Sequence, residues 1–351
     1  MDIANRNVHW DNDDKYDVGL DAQMFDNRLS LTADYYFDHR YDLLTFLTTS
    51  PSILIGSPLP SENYSAVNTF GYEITAGWND KIARNLTLNA RLLFNWSDNK
   101  VLKIDQPAGN VGTFLDELGR STDMGYYGYK SLGILRTQAD VDALLAKNPN
   151  YTIFGQAPLP GMLYFQDLRG PKDANGNYTA PDGKITSDDQ TFLNKKAGNH
   201  YGLGFNWDLS YKSLHLRVVS GLSWGGIDAI ESAATSVGRS YSNLPAFWAD
   251  HWTPTNTNAK YPSPYYSFSY NVNSDFWWKS ATTWTISTIS LSYDLPPNIL
   301  RSIRMNNARV YFVSTNPFNL YNPYNYKSNL QDTYTAFPQL RTMSLGLSVN
   351  L

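Results

Sequence analysis

The chain ends in the run Met343-Ser344-Leu345-Gly346-Leu347-Ser348-Val349-Asn350-Leu351, where apolar residues alternate with small or polar ones. A period of two is the pattern of a β-strand with one apolar face and one polar face. A strand of this kind that closes a chain fits a wall with lipid on one side and water on the other. The run therefore predicts a strand of a transmembrane β-barrel.

The same alternation recurs in four pairs of segments. The pairs are 16–24 with 29–37, 70–78 with 86–96, 201–209 with 214–224, and 289–293 with 309–313. Short turns join the members of each pair, at 25–27, about 79–85, about 211–213 and about 296–307. Long segments separate the pairs, at about 39–67, 98–198, 226–283 and 317–340. This asymmetry is typical of outer-membrane barrels, whose periplasmic turns are short and extracellular loops long, and it predicts a periplasmic C-terminus.

The alternative for this pattern is a large soluble β-sandwich. Sandwich strands are shorter, about five or six residues, and their outward face would carry Lys and Glu. Here the polar face carries mostly Ser, Thr, Asn, Asp and Gly. A strand of about eleven residues spans about 36 Å, and a tilt of about 40° leaves slightly less than 30 Å along the membrane normal. We therefore predict an all-β fold, a transmembrane antiparallel β-barrel with long extracellular loops.

Composition excludes several other classes. Charged residues make up 17% of the 351 residues, the net charge is −4, and there is no cysteine. The absence of a basic run argues against a nucleic-acid partner, and no apolar run reaches the length of a spanning helix. The five histidines share no metal-ligand spacing, and no nucleophile or phosphate-loop motif is present. We predict that the protein is not an enzyme.

Aromatic residues concentrate in the long segments. The candidates for contact with a substrate or a partner are Trp248, Tyr265, Trp277, Trp278 and Tyr324. Exposed Trp and Tyr side chains stack on sugar rings or anchor a partner protein. The alternative is packing within the loops or contact with the lipopolysaccharide zone. The sequence leaves both interpretations open.

A series of short motifs runs in a fixed order from about residue 7 to residue 351. They include Asn7-Val8-His9-Trp10, Phe25-Asp26-Asn27-Arg28-Leu29, Asn68-Thr69-Phe70-Gly71-Tyr72-Glu73, Gly128-Tyr129-Lys130-Ser131-Leu132-Gly133-Ile134, Trp252-Thr253-Pro254-Thr255-Asn256 and Tyr293-Asp294-Leu295-Pro296. Together they resemble the C-terminal part of SusC/RagA-like TonB-dependent transporters, the outer-membrane nutrient importers of Bacteroidetes. Ser344, Gly346, Val349 and Leu351 also resemble the signal that the barrel-assembly machinery reads, with Leu351 in place of the usual Phe.

The resemblance implies that residues 1–351 form about 9–11 strands of a 22-stranded barrel, without the plug domain and the first barrel half. It implies active import of an oligosaccharide or a peptide across the Gram-negative outer membrane. The implied partners are a SusD-like surface lipoprotein, outer-membrane lipid, and the TonB complex acting through an N-terminal part. A passive porin-like channel and a soluble glycan-binding β protein are the alternatives, and the substrate cannot be read from this portion.

One loop has the order of a calcium site. Asp182-Gly183-Lys184-Ile185 supplies a ligand, a sharp turn and an apolar anchor, with Asp189 as a closing carboxylate. The similar transporters have one continuous run, whereas here Asp167 would begin it, Arg169 stands where Asn is expected, and residues 171–181 are inserted. Asp167, Asp182 and Asp189 are the candidate ligands for Ca²⁺, with Asp173, Asn175 or Asn177 as substitutes. The alternative is a turn cluster rich in Asp, Asn and Gly.

Overall fold

The computed structural model describes residues 5–47, 60–194, 196–237, 244–302, 304–324, 326–328 and 333–350. Its strands are β1 (Asn12–Met24), β2 (Leu29–Thr45), β3 (Glu62–Ala83), β4 (Leu86–Lys103), β5 (Tyr126–Gly128), β6 (Ser131–Ile134), β7 (Thr152–Ile153), β8 (Leu163–Phe165), β9 (Lys184–Ile185), β10 (Thr191–Asn194), β11 (Tyr201–Tyr211), β12 (Leu214–Trp224), β13 (Ile227–Ala229), β14 (Trp278–Ser280), β15 (Thr283–Asp294), β16 (Asn307–Tyr321) and β17 (Thr342–Asn350). Its helices are α1 (Gln138–Lys147), α2 (Ser232–Thr235), α3 (Ser267–Tyr270) and α4 (Pro297–Ser302). None of the helices in these ranges has the length and apolar character needed to cross a membrane.

Nine of the described strands form one antiparallel sheet, which we call the wall. Their order is β1-β2-β3-β4-β11-β12-β15-β16-β17. Neighbours are joined at one end by 25–28, 84–85, 212–213 and 295–306, and at the other end by 46–61, 104–200, 225–282 and 322–341. We call these the short-turn end and the long-loop end. The predicted number of wall strands and the alternation of short and long connections are confirmed.

A row of aromatic side chains crosses five wall strands near the long-loop end. The register places Tyr35 opposite Tyr72, Tyr72 opposite Trp96, Trp96 opposite Tyr201, and Tyr201 opposite Trp224. The ring centroids of Trp96 and Tyr201 are 6.3 Å apart, and those of Tyr201 and Trp224 are 5.4 Å apart. Rows of Tyr and Trp at one level are typical of the interface between a membrane and water.

A second boundary of the apolar face lies near the short-turn end. Leu86 pairs with Tyr211, Tyr211 with Leu214, and Leu214 with Tyr293. Tyr211 follows Tyr201 by ten residues along β11. Ten residues of strand span about 33 Å, and a tilt of about 40° gives about 25 Å, the height of an outer-membrane apolar band.

Within the described residues, no second layer lies on the outward face of the wall. Phe205 is 41% exposed, and Leu92 and Leu291 are 37% and 40% exposed. A β-sandwich would bury this face against another sheet about 10 Å away. A contiguous apolar face of this kind needs lipid or a partner to cover it, so the barrel prediction is confirmed over the sandwich alternative.

The buried core lies in the long segments instead. Its members, which we call the loop core, are Tyr129, Ile134, Tyr151, Ile153, Met162, Leu163, Phe165, Ile185, Ile230, Ala234, Phe247, Trp248, Tyr261, Tyr270 and Trp277. All of them come from 104–200 and 225–282, so these two segments pack against each other. The described parts of 104–200 and 225–282 therefore form one folded unit at the long-loop end, which we call the loop unit.

Several wall strands are longer than the sequence predicts. β3 begins at Glu62 rather than near residue 70, and β2 continues to Thr45. Backbone hydrogen bonds pair polar residues as well as apolar ones, so the ladder continues beyond the apolar band. β16 also runs through Pro317, which the sequence analysis placed in a loop, because a register irregularity and a positive φ at Asn316 accommodate the proline.

β17 is the edge strand at one side of the wall. Ser344 lies opposite Val313, Gly346 opposite Tyr311, and Val349 opposite Ala308. Leu345 and Leu347 are 79% and 61% exposed on the outward face. Leu351 lies outside the described residues, and the role of this strand as an assembly signal stays a prediction.

Gly71 of β3 occupies a place where a side chain has no room. An ideal Cβ there would lie 2.4 Å from the backbone oxygen of Trp96 and 2.6 Å from the Tyr36 hydroxyl. Gly221 of β12 has nothing within 4 Å of its own ideal Cβ. The two glycines form a matched pair for substitution, because an added Cβ would clash at Gly71 and would meet open space at Gly221.

We expect Gly71→Ala to destabilise the folded wall by about 1–3 kcal/mol, as overpacking does. Gly221→Ala should stay within about 0.5 kcal/mol of the parent. Thermal unfolding of both variants in detergent measures the difference. Equal unfolding temperatures would show that the strands around Gly71 are less tightly packed than described.

Candidate functional site

The carboxylate of Asp189 organises the segment 167–189, which we call the carboxylate loop. Asp189 is fully buried. Its Oδ1 accepts hydrogen bonds from the amides of Leu168 and Arg169 at 2.8 and 3.3 Å, and its Oδ2 accepts one from Thr186 at 2.8 Å. Charge-assisted bonds of this kind satisfy a buried carboxylate, so Asp189 ties the two ends of the loop together.

Asp167 lies beside this carboxylate with one oxygen unpaired. Its Oδ2 accepts a hydrogen bond from the Gly183 amide at 2.6 Å, whereas its Oδ1 is buried without a partner. Burial raises the pKa of Asp167, and the negative charges of Asp189 and Asp182 raise it further. Asp182 itself accepts a hydrogen bond from the Lys184 amide at 2.9 Å.

Arg169 does not neutralise these carboxylates. Its guanidinium donates to the backbone carbonyls of Asp188 and Gln190, and it lies 4.5 Å from the ring centre of Tyr178. Within the described ranges, no three His, Cys, Asp or Glu side chains are grouped so that they could hold a metal ion. Calcium binding by Asp167, Asp182 and Asp189 stays a prediction.

Buried Asp189 and half-buried Asp167 should respond oppositely to amide substitution. Asp189→Asn turns an N–H₂ toward backbone amides that need an acceptor, so we expect a loss of about 1–3 kcal/mol. Asp167→Asn should raise the unfolding temperature at pH 7, because it removes a like charge next to Asp189. Thermal unfolding in the presence of a chelator measures both effects.

The same substitution predicts a pH dependence. Because the folded-state pKa of Asp167 lies above its ordinary value of 3.8, the folded loop binds this proton more tightly than the unfolded chain does. Stability from this group is therefore present at low pH and is lost as the pH rises through the raised pKa. Asp167→Asn should remove that part of the pH profile, and an unchanged profile would contradict the account.

A cleft of about 630 Å³ lies beside the carboxylate loop. We call it the basic aromatic cleft, and the residues that define it are Phe114, Arg120, Tyr127, Arg169, Lys172, Tyr178 and Phe192. Burial raises the pKa of Tyr127 to about 12, so its hydroxyl stays neutral. Sequence reasoning missed this cleft because its cations come from separate segments. The one available signal was the Lys and Tyr within the insertion 171–181.

The predicted ligand-contact aromatics divide into two groups. Trp248 and Trp277 are buried in the loop core, 5% and 4% exposed, and their indole N–H groups donate to the carbonyls of Ala234 and Tyr270. Their ring faces contact other aromatic side chains, so for these two residues the loop-packing interpretation replaces the ligand-contact one.

The remaining three stay nearer the surface. Tyr265 is 90% exposed. Trp278 and Tyr324 are half-buried, and the Tyr324 hydroxyl donates to the carboxylate of Asp228. Of the five predicted aromatics, Tyr265 is the one whose ring is freely available to a ligand or a partner.

The inward face of the wall carries a polar groove near the short-turn end. Its volume is about 480 Å³, and Arg91, Asn206, Asp208 and Arg217 line it together with Arg28. Arg217 and Asp208 lie 3.7 Å apart as an exposed ion pair. This polar lining opposite an apolar outward face is the pattern of a barrel lumen.

Comparison with known proteins gives three related sequences, all from Formosa agariphila. TonB-dependent receptor P3 is 27% identical over 99% of this chain and 35% of the receptor. TonB-dependent receptor P26 is 25% identical over the same shares, and TonB-dependent receptor P39 is 23% identical over 86% of this chain and 31% of the receptor. The chain thus spans about a third of these relatives. No protein-family model matches the chain.

Solved structures show the same fold. The structure of the RagAB peptide transporter covers 99% of this chain with a TM-score of 0.68 and 19% identity, over 36% of its own chain. The RagAB peptide importer in its closed-closed state covers 99% with a TM-score of 0.71 and 18% identity, again over 36% of its own chain. The wall and the loop unit therefore have the same fold as the matching part of the RagAB structures.

Proposed function

We infer that the protein imports a nutrient across the outer membrane, because this chain is homologous to TonB-dependent receptors over 99% of its length. This chain supplies part of the barrel wall, part of the lumen lining, and the loops at one mouth of the barrel. The nutrient is an oligosaccharide or a peptide. The observation that carries the proposal is the one-layer wall. Its apolar outward face is bounded by a row of Tyr and Trp residues near the long-loop end and by a row of alternating Leu and Tyr residues near the short-turn end.

The wall needs further strands to function in a membrane. β1 and β17 are the two edges of the described sheet. An open edge in lipid leaves backbone groups without partners, at several kcal/mol each. We propose that strands from the rest of the receptor close the barrel, and that a plug domain there fills the lumen and contacts TonB.

The connections support a proposed orientation. Barrels of this kind have short periplasmic turns and longer extracellular loops, so we assign the short-turn end and the C-terminus to the periplasm. The loop unit then faces the outside. A SusD-like surface lipoprotein is the proposed partner there, and the exposed ring of Tyr265 is a candidate contact with it.

Uptake by intact cells tests the proposal. Cells that express the receptor should accumulate labelled oligosaccharides or peptides, and collapse of the proton gradient should abolish the accumulation because TonB draws on that gradient. A strain without the receptor is the control. Uptake that continues without the gradient would support the porin-like channel instead.

Calcium in the carboxylate loop is a separate proposal. The unpaired Oδ1 of Asp167 supports it, since a buried carboxylate oxygen without a donor is a position that a cation would satisfy. Ca²⁺ should then raise the unfolding temperature of the parent protein and leave that of Asp167→Asn unchanged. If Ca²⁺ affects neither protein, the carboxylates serve the backbone amides alone.

A further inference from the structure

We propose that the basic aromatic cleft binds an acidic oligosaccharide, a sugar chain that carries carboxylate or sulfate groups. This inference rests on the proposed function, because it names the substrate class of a nutrient importer. The cleft volume of about 630 Å³ lies within the range of about 300–1,000 Å³ that small-ligand sites occupy.

The charged side chains that line the cleft are all positive. Arg120, Arg169 and Lys172 line it, and no Asp or Glu is among its lining residues. In the part of the chain that the structure describes, none of these three cations forms an ion pair within 4.0 Å. No carboxylate is directly paired with any of these three cations, which favours an anionic ligand.

Both guanidinium groups are held in place by neutral groups. Arg120 donates to the carbonyl of Phe114 at 2.8 Å and lies 4.6 Å from the ring centre of Phe192. Arg169 donates to two backbone carbonyls and stacks on Tyr178. Each guanidinium has five N–H donors, so donors remain for the oxygens of a carboxylate or a sulfate. Pre-positioned cations of this kind lose little entropy on binding.

The insertion 171–181 builds one side of the cleft. Lys172 and Tyr178 face each other across a small hairpin, with the Lys172 Nζ 5.0 Å from the ring centre of Tyr178. The Asp173 carboxylate shapes its turn by accepting hydrogen bonds from the amides of Asn175 and Asn177 at 2.8 and 2.9 Å. The inserted residues thus present one cation and one aromatic ring together.

Aromatic rings supply the apolar part of the site. Phe114 and Tyr127 are stacked with centroids 3.4 Å apart, and Phe192 meets Tyr127 edge-on at 5.4 Å. Flat rings next to cations suit a sugar ring, whose C–H face packs on an aromatic side chain while its charged substituent meets a guanidinium or an ammonium.

The charge pattern favours an acidic sugar over a peptide. A free peptide carries an N-terminal ammonium group, and the lining residues offer it no carboxylate. Two acids are adjacent in sequence to lining residues, Asp116 next to Leu115 and Asp173 next to Lys172. The Asp116 carboxylate already accepts hydrogen bonds from Gln106, Leu118 and Gly112 at 2.8–3.0 Å, and the Asp173 carboxylate accepts those of its own turn. An acidic oligosaccharide carries charges of one sign and meets no such mismatch.

Calorimetric titration of the intact receptor in detergent tests the proposal. The probes are a tetrameric oligogalacturonate, a sulfated galactan oligosaccharide of the same length, a neutral oligosaccharide and an acidic peptide. We expect one of the two acidic sugars to bind at least tenfold more tightly than the neutral sugar and the peptide, and which of them binds identifies the anionic group. Tighter binding of the peptide or the neutral sugar, or binding of no acidic sugar, would overturn the proposal.

A matched pair of lysine variants locates the site. Lys172→Gln should weaken binding about tenfold or more and reduce its salt dependence, as expected for the loss of a charge-assisted contact. Lys147→Gln removes an exposed charge from α1, outside the cleft, and should bind as the parent does. Equal affinity in the two variants would place the sugar elsewhere. If no acidic sugar binds but cells still take up another nutrient in a gradient-dependent way, the cleft proposal fails and the proposed import function stands.

Discussion

Replacing Trp277 by alanine is expected to destabilise the loop unit by about 3–5 kcal/mol, the cost of removing a buried Trp side chain. Trp277 is 4% exposed, and its ring centroid lies 4.9 Å from that of Phe276 and 5.8 Å from that of Trp248. Its indole N–H also donates to the carbonyl of Tyr270 at 2.7 Å, so the substitution leaves both a cavity and an unpaired acceptor. Thermal unfolding followed by intrinsic tryptophan fluorescence measures the loss.

Tyr265→Ala is the matched control for this result. Its side chain is 90% exposed, so we expect its stability to stay within about 0.5 kcal/mol of the parent. A comparable loss in both variants would mean that the long segments do not form the loop core described above. A loss in neither would mean that these segments contribute little to the stability of the receptor.

The second large effect concerns the two faces of β4. Leu92 faces outward between the two boundary rows, and Leu93 faces inward next to Gly204 of β11. The two leucines are 37% and 36% exposed, so exposure in the isolated chain does not distinguish them. We expect Leu92→Lys to cost about 2–4 kcal/mol, the cost of a lysine at the middle of the membrane. Leu93→Lys should cost much less, because the inward face meets water or polar groups.

The yield of the heat-modifiable, folded form in outer membranes measures this difference. If the chain were a soluble β protein, the two variants would give similar yields of folded protein. If Leu93→Lys were the more damaging of the two, the faces would be assigned the wrong way round.

The wall could be predicted from sequence because its strands are specified by patterns within short stretches of the chain. Alternation along 201–211 and 214–224 fixes which side chains share a face, and the turn at 212–213 fixes the register between the strands. Strand ends such as Thr45 and Glu62 could not be predicted, since pairing beyond the apolar band leaves no hydropathy signal.

The candidate site was less accessible to sequence reasoning. Trp248 and Tyr265 look alike in sequence, and only the packing of one long segment on another decides that the first is buried and the second exposed. The basic aromatic cleft is equally non-local, since Arg120 and Lys172 lie 52 residues apart in the chain. Its recognition required the folded loop unit.

The most direct test of the central claim is alternate labelling along β11 in native outer membranes. The chain contains no cysteine, so single cysteines can be placed in turn at the positions from Leu203 to Ser210. We predict slow reaction with a water-soluble thiol reagent at 203, 205, 207 and 209, and fast reaction at 204, 206, 208 and 210. Uniform reaction along the strand, or faster reaction at the outward positions, would contradict the assignment of this sheet to a membrane-spanning wall.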